Sequence, residues 1–207
     1  MSDDFELVLG KHIANAFEER LPEAFPIIVQ TNTLLVKQAL LTRKAQFAVT
    51  GGGARDEPQL VRESFGVHYD CCLYDKTQIS ADFLDLETYL QKSHIAVHFG
   101  SHRGVADGYL YSFGEGLHRR LALMTSHYSA LPQYLVGTGR IALVPVWVAR
   151  HFQQLHPTLT FCKLPFPISP DPIELAYRND SLKQPLMQSA LRILRSVMHL
   201  VDWTEMP

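Results

Sequence analysis

GTGRIALVPVWVARHFQQLHPTLTFCKLPFPISPDPIELAY, residues 137–177, alternates short apolar strands with one amphipathic helix. Within it, IALVP predicts a buried strand that ends at Pro145, and WVARHFQQL repeats its apolar residues at helical spacing. LTFCKLPF and IELAY predict two further strands, which are joined by the stiff turn ISPDP. A strand, a helix and two more strands in this order indicate an α/β protein.

The N-terminal part of the chain continues this alternation. FELVLG predicts a strand, and IANAFEERLPEAF predicts a helix that Pro22 kinks or ends. PIIVQT predicts a second strand, TLLVKQALLTRKA a second helix and QFAVTGGG a third strand. This order predicts a parallel sheet with right-handed crossovers. Its ligand-prone edge is then formed by Gly10–His12, Thr31–Thr33 and Thr50–Gly53.

The apolar residues of these two predicted helices recur on one side. The first helix has such a side in Ile13, Phe17, Leu21 and Phe25. The second has one in Leu34, Leu35, Leu41 and Ala45, and the polar Gln38 lies along the same side. We expect both sides to face the core.

A second α/β unit follows. VRESFGVHYDCCLYDKT predicts two strands without a helix between them, and LDLETYLQKS, HIAVHF, RGVADGYLYSFGEG, RRLALMT and SALPQYLVGTG then alternate helix and strand. SLKQPLMQSALRILRSVMHLVDW predicts the last helix. The chain therefore crosses twice between two lobes, near 71–77 and near 174–179. We expect residues 1–75 with 178–207 to form lobe I and residues 76–177 to form lobe II, with a cleft between them that opens and closes.

Composition limits the classes of function. The chain has 207 residues, 46% of them apolar, and a net charge of −2. Because it has no run of Lys and Arg, this segment is not expected to grip a nucleic-acid backbone. Its apolar runs are too short for a bilayer span and its start does not resemble a secretory signal, so we expect a cytoplasmic protein without a membrane partner. The three cysteines are expected to be reduced packing residues.

Enzyme chemistry receives little support from the sequence. The chain has no nucleophile elbow, no H-E-x-x-H motif and no phosphate-binding glycine fingerprint, and Gly51–Gly53 lacks the spacing of one. His12, His102 and His127 lie on separate predicted loops without a nearby Cys or carboxylate motif, which does not indicate a metal site. We therefore predict a binding protein with no cofactor and no metal.

Several segments carry a resemblance to a known family. IALVP followed by a helix and by LPF resembles the effector-binding domain of LysR-type transcriptional regulators. VKQALLTRKAQFAVTGG is similar to the first-lobe pattern of that domain, with Gln46 where the family usually has Asp. DFLDLETYLQKSHIAVHFGSHRGVADGYL and RRLALMTSHYSALPQYLVGTGRIALVP resemble the subgroup that includes regulators of nodulation and of nitroaromatic degradation.

The resemblance implies fold, partners and function. The fold would be that of the type 2 periplasmic binding proteins, with two Rossmann-like lobes joined by two crossover strands. The chain would form a homodimer, with contacts around Ala16–Arg20 and Val148–Phe152, and possible tetramers at full length. DNA would be bound only through a winged helix-turn-helix domain that this sequence does not contain. Either the sequence covers the sensor alone, or the natural protein lacks a DNA reader.

The predicted effector is a small molecule such as a carboxylate or an aromatic acid, bound in the cleft. Hydroxyl, amide and imidazole groups at strand ends and helix starts suit such a ligand. Ser101 and Thr138 are equally well explained as helix caps, Lys11 as a solvated lysine and Tyr128 as a packing residue. The candidate ligand-binding residues are Lys11, His12, Thr31, Asn32, Thr50, Ser101, His102, Ser126, His127, Tyr128 and Thr138.

Two other functions share the two-lobe fold. A solute-binding protein of a transport system is the alternative, and an enzyme on the same scaffold is a third hypothesis. A reading frame with an N-terminal helix-turn-helix would exclude the transport protein, and turnover of a carboxylate would favour the enzyme.

Overall fold

The structure, a computed structural model, describes residues 1–97 and 119–203. Its elements are α1 (Asp3–Arg20), α2 (Val36–Leu41), β1 (Phe47–Thr50), β2 (Leu60–His68), β3 (Asp70–Asp75), α3 (Leu86–Gln91), β4 (Ser93–Val97), β5 (Arg120–Thr125), a 3-10 turn (Tyr128–Ala130), α4 (Leu131–Leu135), β6 (Ile141–Pro145), α5 (Val146–Leu155), β7 (Leu159–Cys162), β8 (Asp171–Arg178), a second 3-10 turn (Ser181–Lys183) and α6 (Pro185–Met198). The predicted α/β class is confirmed. The helix predicted over RGVADGYLYSFGEG lies outside the described residues.

The described chain divides into two compact units. Unit 1 contains Met1–His68 and the chain from Asp171, and unit 2 contains the described part of Tyr69–Pro170. The divisions therefore lie at 68/69 and 170/171, while the sequence prediction has them at 75/76 and 177/178. Each unit has its own sheet.

The sheet of unit 1 is antiparallel. Its strands lie in the order β1-β8-β2, and β8 pairs antiparallel with both neighbours. The predicted parallel βαβαβ sheet is therefore wrong for the described part of unit 1. The central strand comes from the C-terminal part of the chain, which no local pattern in residues 1–53 could show. The side chains of Val36, Leu40, Ala48 and Ala176 form one cluster of the core.

Helix α1 replaces the strand predicted over FELVLG. The spacing of four that marks Ile13 and Phe17 already begins at Phe5 and Leu9, and all four side chains are buried. Acidic residues in the first turn favour a helix start there. The helix ends at Arg20, before Pro22, as the proline predicts.

The segment between α1 and β1 also differs from its prediction. PIIVQT, residues 26–31, forms no assigned strand, and the second helix is reduced to the six residues of α2. Val36 and Leu40 are its buried residues, whereas Leu34 and Leu35 are exposed. Phe25, predicted on the buried side of the first helix, is 81% exposed.

Unit 2 follows its predicted pattern more closely. Its sheet has the order β5-β4-β6-β3-β7; β4 pairs parallel with β5 and β6, and β3 pairs antiparallel with β6 and β7. The order β6, α5, β7, followed by β8 of unit 1, confirms the interpretation of residues 137–177. Asp85 caps α3 by accepting a hydrogen bond from the Thr88 N–H, 2.7 Å away. These local signals were strong enough to define the elements without knowledge of the sheet.

Candidate functional site

Two loops of unit 1 lie against each other, the one before α2 and the one after β1. A Cβ atom placed on Gly53 would lie 2.3 Å from the Thr33 carbonyl oxygen and 2.5 Å from Cγ1 of Val36. The Thr50 hydroxyl accepts a hydrogen bond from the Gly53 N–H at 3.2 Å. The predicted loops Thr31–Thr33 and Thr50–Gly53 therefore meet in the structure, at a separation that only glycine permits.

Asn32 organises the first of these loops. Its Oδ1 accepts hydrogen bonds from the backbone N–H groups of Leu34 and Leu35, both at 3.0 Å. The side-chain oxygen therefore stabilises the turn that leads into α2. Thr31 lies just before it and donates its N–H to the Met1 carbonyl oxygen. Both residues are half-buried, so they line the surface of unit 1 without being locked in its core.

His68 and Asp171 extend this polar surface and were missed by the sequence analysis. They are paired in register at the ends of β2 and β8, with Nε2 of His68 3.9 Å from Oδ2 of Asp171. A Cβ on Gly51 would lie 3.8 Å from the same imidazole nitrogen. Burial lowers the pKa of His68, against the attraction of Asp171, so the ring is neutral near pH 7. The only sequence signal was a histidine between two strands, which has no special meaning until the strands are paired.

In unit 2, the predicted residues after β5 lie at the carboxyl edge of the parallel strands. Thr125, the last residue of β5, is paired in register with Val97 at the end of β4. Ser126 and His127 follow and are exposed, while Tyr128 is buried and begins the 3-10 turn. Carboxyl edges of parallel strands are common ligand sites. Ser101 and His102, predicted to belong to the same edge, lie outside the described residues.

Thr138 lies at the other edge of the unit 2 sheet. It precedes β6, and so stands at the amino ends of the parallel strands. Its hydroxyl is 2.9 Å from the Leu135 carbonyl oxygen, to which it can donate, and accepts from the Arg140 N–H at 3.3 Å. The structure therefore places Thr138 in a helix C-terminal cap, away from Ser126–Tyr128.

Lys11 and His12 lie in the middle of α1, and both are exposed. They were selected because FELVLG was expected to be a strand that ended beside them. That argument is wrong, because the residues stand eight and nine positions after the first residue of an 18-residue helix. Both residues belong to α1 and not to a loop at a strand end, and their role as ligand contacts stays a prediction.

Two of the three cysteines lie opposite each other on neighbouring strands, which the sequence could not reveal. Cys72 of β3 is paired in register with Cys162 of β7, and all three cysteines are free and buried. A hydrogen bond from the Cys72 thiol lowers the pKa of Cys162 to about 7, whereas burial raises the pKa of Cys72. Cys72 and Cys162 pack in one apolar cluster with Tyr74 and Tyr89. They serve as core residues of unit 2.

The described loops suit recognition of a small polar molecule. They combine hydroxyl, carboxamide and imidazole groups, which donate and accept hydrogen bonds at loops beside the strands. In residues 1–97 and 119–203, no group of three or more His, Cys, Asp or Glu side chains could hold a metal ion. No helix in those ranges is long and apolar enough to cross a membrane.

Comparison with known sequences identifies relatives of this chain. Its residues 2–199 match the family model of the LysR substrate binding domain. It is 37% identical over 93 residues to Nodulation protein D 2 of Rhizobium tropici, a match that covers 45% of this chain and 29% of that protein. It is 34% identical over 87 residues to Nodulation protein D 1 of Sinorhizobium fredii, which covers 42% and 26%. The matched segment thus spans less than a third of either relative.

Solved structures share the fold. The regulatory domain of MexT, a transcriptional activator in Pseudomonas aeruginosa, aligns with a TM-score of 0.76 at 24% identity and covers 97% of this chain and 96% of that one. CrgA, a LysR-type transcriptional regulator from Neisseria meningitidis, aligns with a TM-score of 0.74 at 14% identity and covers 97% and 67%. Both are transcription regulators rather than enzymes, and both support the predicted type 2 periplasmic-binding-protein-like fold. The family match over residues 2–199 is decisive, and the chain belongs to the LysR substrate-binding-domain family, the regulatory domain of LysR-type transcription regulators.

Proposed function

We propose that this domain senses a small anionic molecule, such as a carboxylate or an aromatic acid, through polar groups of the loops described above. Thr31, Asn32 and Thr50 would contribute from unit 1, and Ser126–Tyr128 from unit 2. Binding would favour one conformation of the domain over others and thereby alter how the subunits of the full-length regulator are held.

The close contact between the loop before α2 and the loop after β1 is the observation that supports the proposed ligand contacts of unit 1. The Gly53 backbone lies so near Thr33 that the Thr50 hydroxyl and the Asn32 carboxamide are held on adjoining loops. Preorganised polar groups of this kind bind small ligands without a large ordering cost. Neutral His68 beside them adds an imidazole that a carboxylate can hydrogen-bond.

The direct test is thermal unfolding of this chain against a panel of small carboxylates, aromatic acids and amino acids. A ligand that binds only the folded state raises the free energy of unfolding by about 2.7 kcal/mol when its concentration is about 100 times its dissociation constant. We expect at least one compound to raise the melting temperature in a concentration-dependent manner. A panel without any shift would contradict the proposal for these classes of ligand.

Variants then assign the site for a compound that binds. We expect Thr50→Val and Ser126→Ala each to weaken binding roughly tenfold, the cost of about 1.4 kcal/mol for a lost hydrogen bond. Gln153→Ala, at an exposed position of α5, is the control and should leave binding unchanged. Lys11→Ala tests whether α1 contributes to the site. A loss of binding in that variant would indicate that the ligand contacts the helix.

At full length, we expect a homodimer or tetramer that binds DNA through a separate N-terminal domain. Gel-shift measurements on the full-length protein, with and without the compound identified above, would test this step. A compound that binds the domain but changes neither the affinity for DNA nor the DNA-bound stoichiometry would contradict the regulatory step, and a full-length protein that does not bind DNA would favour the transport alternative.

A further inference from the structure

Two thiols of unit 2 meet across neighbouring strands. Cys72 of β3 and Cys162 of β7 are directly opposite each other in an antiparallel pair, and both are free. Opposite residues of an antiparallel pair extend their side chains to the same face of the sheet. The Cys72 thiol accordingly donates a hydrogen bond to the Cys162 sulfur. The two sulfur atoms are therefore already in contact in the reduced protein.

The backbone positions of this pair are compatible with a disulfide. A disulfide requires Cα atoms about 4.4–6.8 Å apart. Opposite residues of antiparallel strands have Cα atoms about 4.5 Å or about 5.5 Å apart, according to whether the pair exchanges backbone hydrogen bonds. Both possibilities lie within the range that a disulfide allows. Cys72 and Cys162 can thus be joined while β3 and β7 stay paired.

The two thiols are unequal, and their difference assigns the nucleophile. The hydrogen bond from Cys72 and one from the Leu84 N–H lower the pKa of Cys162 to about 7, although burial acts in the opposite direction. Burial raises the pKa of Cys72 well above its ordinary value. Near neutral pH a large fraction of Cys162 is therefore thiolate, the nucleophilic form, while Cys72 retains its proton.

The position of Cys162 also makes it the first thiol that an oxidant meets. Its side chain keeps 5% of its exposure, whereas Cys72 keeps none. It is the last residue of β7, a strand of four residues at the end of the described sheet order β5-β4-β6-β3-β7. Short edge strands open locally at a lower free-energy cost than inner strands do. A small oxidant can therefore reach Cys162 without unfolding of the whole unit.

Cys71 is not suited to either role. It precedes Cys72 in β3, and neighbouring residues of a strand point to opposite faces. It lies opposite Val144 of β6 and is completely buried. Its pKa is also raised by burial. Cys71 therefore provides an internal control for a reaction between Cys72 and Cys162.

We propose that Cys72 and Cys162 are an oxidisable dithiol, a modification site at which a small hydroperoxide forms a disulfide between β3 and β7. The Cys162 thiolate attacks one peroxide oxygen, so that an S–O bond forms, the O–O bond breaks and hydroxide leaves and takes up a proton. The Cys72 sulfur then attacks the sulfenic acid sulfur, its proton is lost and the sulfenic oxygen leaves as water. The two sulfurs together lose two electrons, and hydrogen peroxide is reduced to two waters.

The disulfide gives unit 2 a second covalent state. In the dithiol state β7 is held by its pairing with β3 and by packing, and in the disulfide state it is also tied to β3 by a bond. A thiol reductant reverses the reaction by thiol–disulfide exchange. This inference concerns the inside of unit 2 and does not depend on the ligand proposed above.

The test is mass spectrometry of the folded chain after treatment with a small molar excess of hydrogen peroxide. Remaining thiols are blocked with iodoacetamide, and the chain is digested with trypsin without reductant. Trypsin releases Cys71 and Cys72 in the peptide of residues 63–76 and Cys162 in that of residues 151–163. We expect these two peptides to be linked and dithiothreitol to separate them. Fragmentation between residues 71 and 72 should assign the bond to Cys72.

Variants test the assigned roles. Cys71→Ala should form the link at a rate within about twofold of the unaltered chain, since Cys71 takes no part. Cys72→Ala removes the resolving thiol, so we expect Cys162 to stop at the sulfenic acid, which dimedone labels. In Cys162→Ala, dimedone labelling of Cys72 should be at least roughly tenfold slower, because its thiol is protonated.

Three results would overturn the proposal. The first is an unlinked chain after a treatment that oxidises free glutathione. The second is a bond between Cys71 and Cys72 in place of the predicted one. The third is a link that forms only when urea unfolds the chain, which would mean that the fold does not bring the thiols together. The unaltered chain decides all three, so the proposal stays testable if a core variant fails to fold.

Discussion

His94 is a fully buried imidazole of unit 2 in a defined protonation state. Its Nε2 lies 2.8 Å from the Tyr89 carbonyl oxygen, to which the N–H donates, and its ring contacts the Tyr89 ring edge to face. Burial lowers the pKa of His94 to about 4, and the positive charge of Arg119 acts in the same direction, against the Tyr89 carbonyl. The folded protein thus contains neutral His94 well below pH 6.5.

This predicts how stability changes with pH. In the unfolded chain this histidine takes up a proton below pH 6.5, whereas in the folded chain it stays neutral down to about pH 4. The contribution of neutral His94 to stability is therefore complete above pH 6.5 and decreases as the pH falls from 6.5 to about 4. Between pH 7 and pH 4.5, we expect the free energy of unfolding of the native protein to fall by about 2 kcal/mol more than that of the His94→Gln variant. Glutamine can donate to Tyr89 but does not titrate. Urea unfolding at both pH values measures the difference, and parallel losses in the two proteins would refute it.

Asp75 stabilises the turns around Thr77 and Gly137. Its carboxylate accepts from the Gly137 N–H at 2.6 Å and from the Thr77 N–H at 2.8 Å. Burial would raise the pKa of Asp75, but these donors outweigh it and hold the pKa below its ordinary value. We expect Asp75→Ala to lower the free energy of unfolding by about 2 kcal/mol at neutral pH. The exposed Asp82→Ala is the control.

The pH dependence of this variant supplies a second check. Because the folded pKa of Asp75 is lowered, its contribution is present above the unfolded pKa of about 3.9 and is lost as the pH falls further. The gap between the native protein and Asp75→Ala should therefore narrow in chemical unfolding below about pH 4. A gap that is constant with pH would mean that packing, not the charge, is responsible.

Among the secondary-structure elements, the contact between the β1 loop and α2 depends on one glycine. A methyl group on Gly53 would collide with the backbone oxygen of Thr33, which cannot move as a flexible side chain can. We expect Gly53→Ala to destabilise the domain by about 1–3 kcal/mol and to weaken effector binding. Gly139→Ala meets no atom within 4 Å and should be tolerated. Equal melting temperatures for the two variants would disprove the contact.

Helix α1 carries Gly10 in its interior, where glycine is an unfavourable residue. A Cβ there would meet only the Glu6 side chain, at an ordinary distance of 3.6 Å. We expect Gly10→Ala to raise the free energy of unfolding by about 0.5–1 kcal/mol. The denaturant midpoint should rise while the slope stays constant. Destabilisation would show that α1 packs against a further surface at this position.

At the scale of the whole molecule, the proposed dimer contact can be tested by charge reversal. Within the two predicted contact segments, Phe17, Val148 and Phe152 are buried in the chain itself, whereas Glu19 is exposed. Exposed side chains such as Glu19 therefore remain for an intersubunit contact. We expect Glu19→Lys to weaken dimerisation roughly tenfold in sedimentation equilibrium, through loss of charge complementarity. Glu23→Lys is the control, because it changes the net charge by the same amount at a position outside the predicted contact segments. An equal weakening of the dimer by Glu23→Lys would contradict the contact.

Local patterns were sufficient wherever an element's periodicity was complete. The strand IALVP, the helix WVARHFQQL and the strands after it have the predicted types, because hydrophobic spacing and proline positions act within a few residues. The family resemblance, which rests on the same segments, led to the domain that the match over residues 2–199 confirms. Thr31, Asn32 and Thr50 were selected as the ends of predicted strands. Thr50 does end β1, whereas Thr31 and Asn32 follow a segment that forms no strand, and the role of all three as ligand contacts stays a prediction.

Strand partners could not be deduced in this way, because hydrogen-bond ladders join residues that are far apart in the chain. β8 enters the sheet of unit 1 from more than a hundred residues away and makes that sheet antiparallel. The same pairing brings His68 to Asp171, and the β3–β7 pairing brings Cys72 to Cys162. FELVLG was ambiguous because a short apolar run fits both a strand and one side of a helix. The sequence thus determined the class, the family and most elements, while long-range pairing and packing decided the sheets and which polar loops meet.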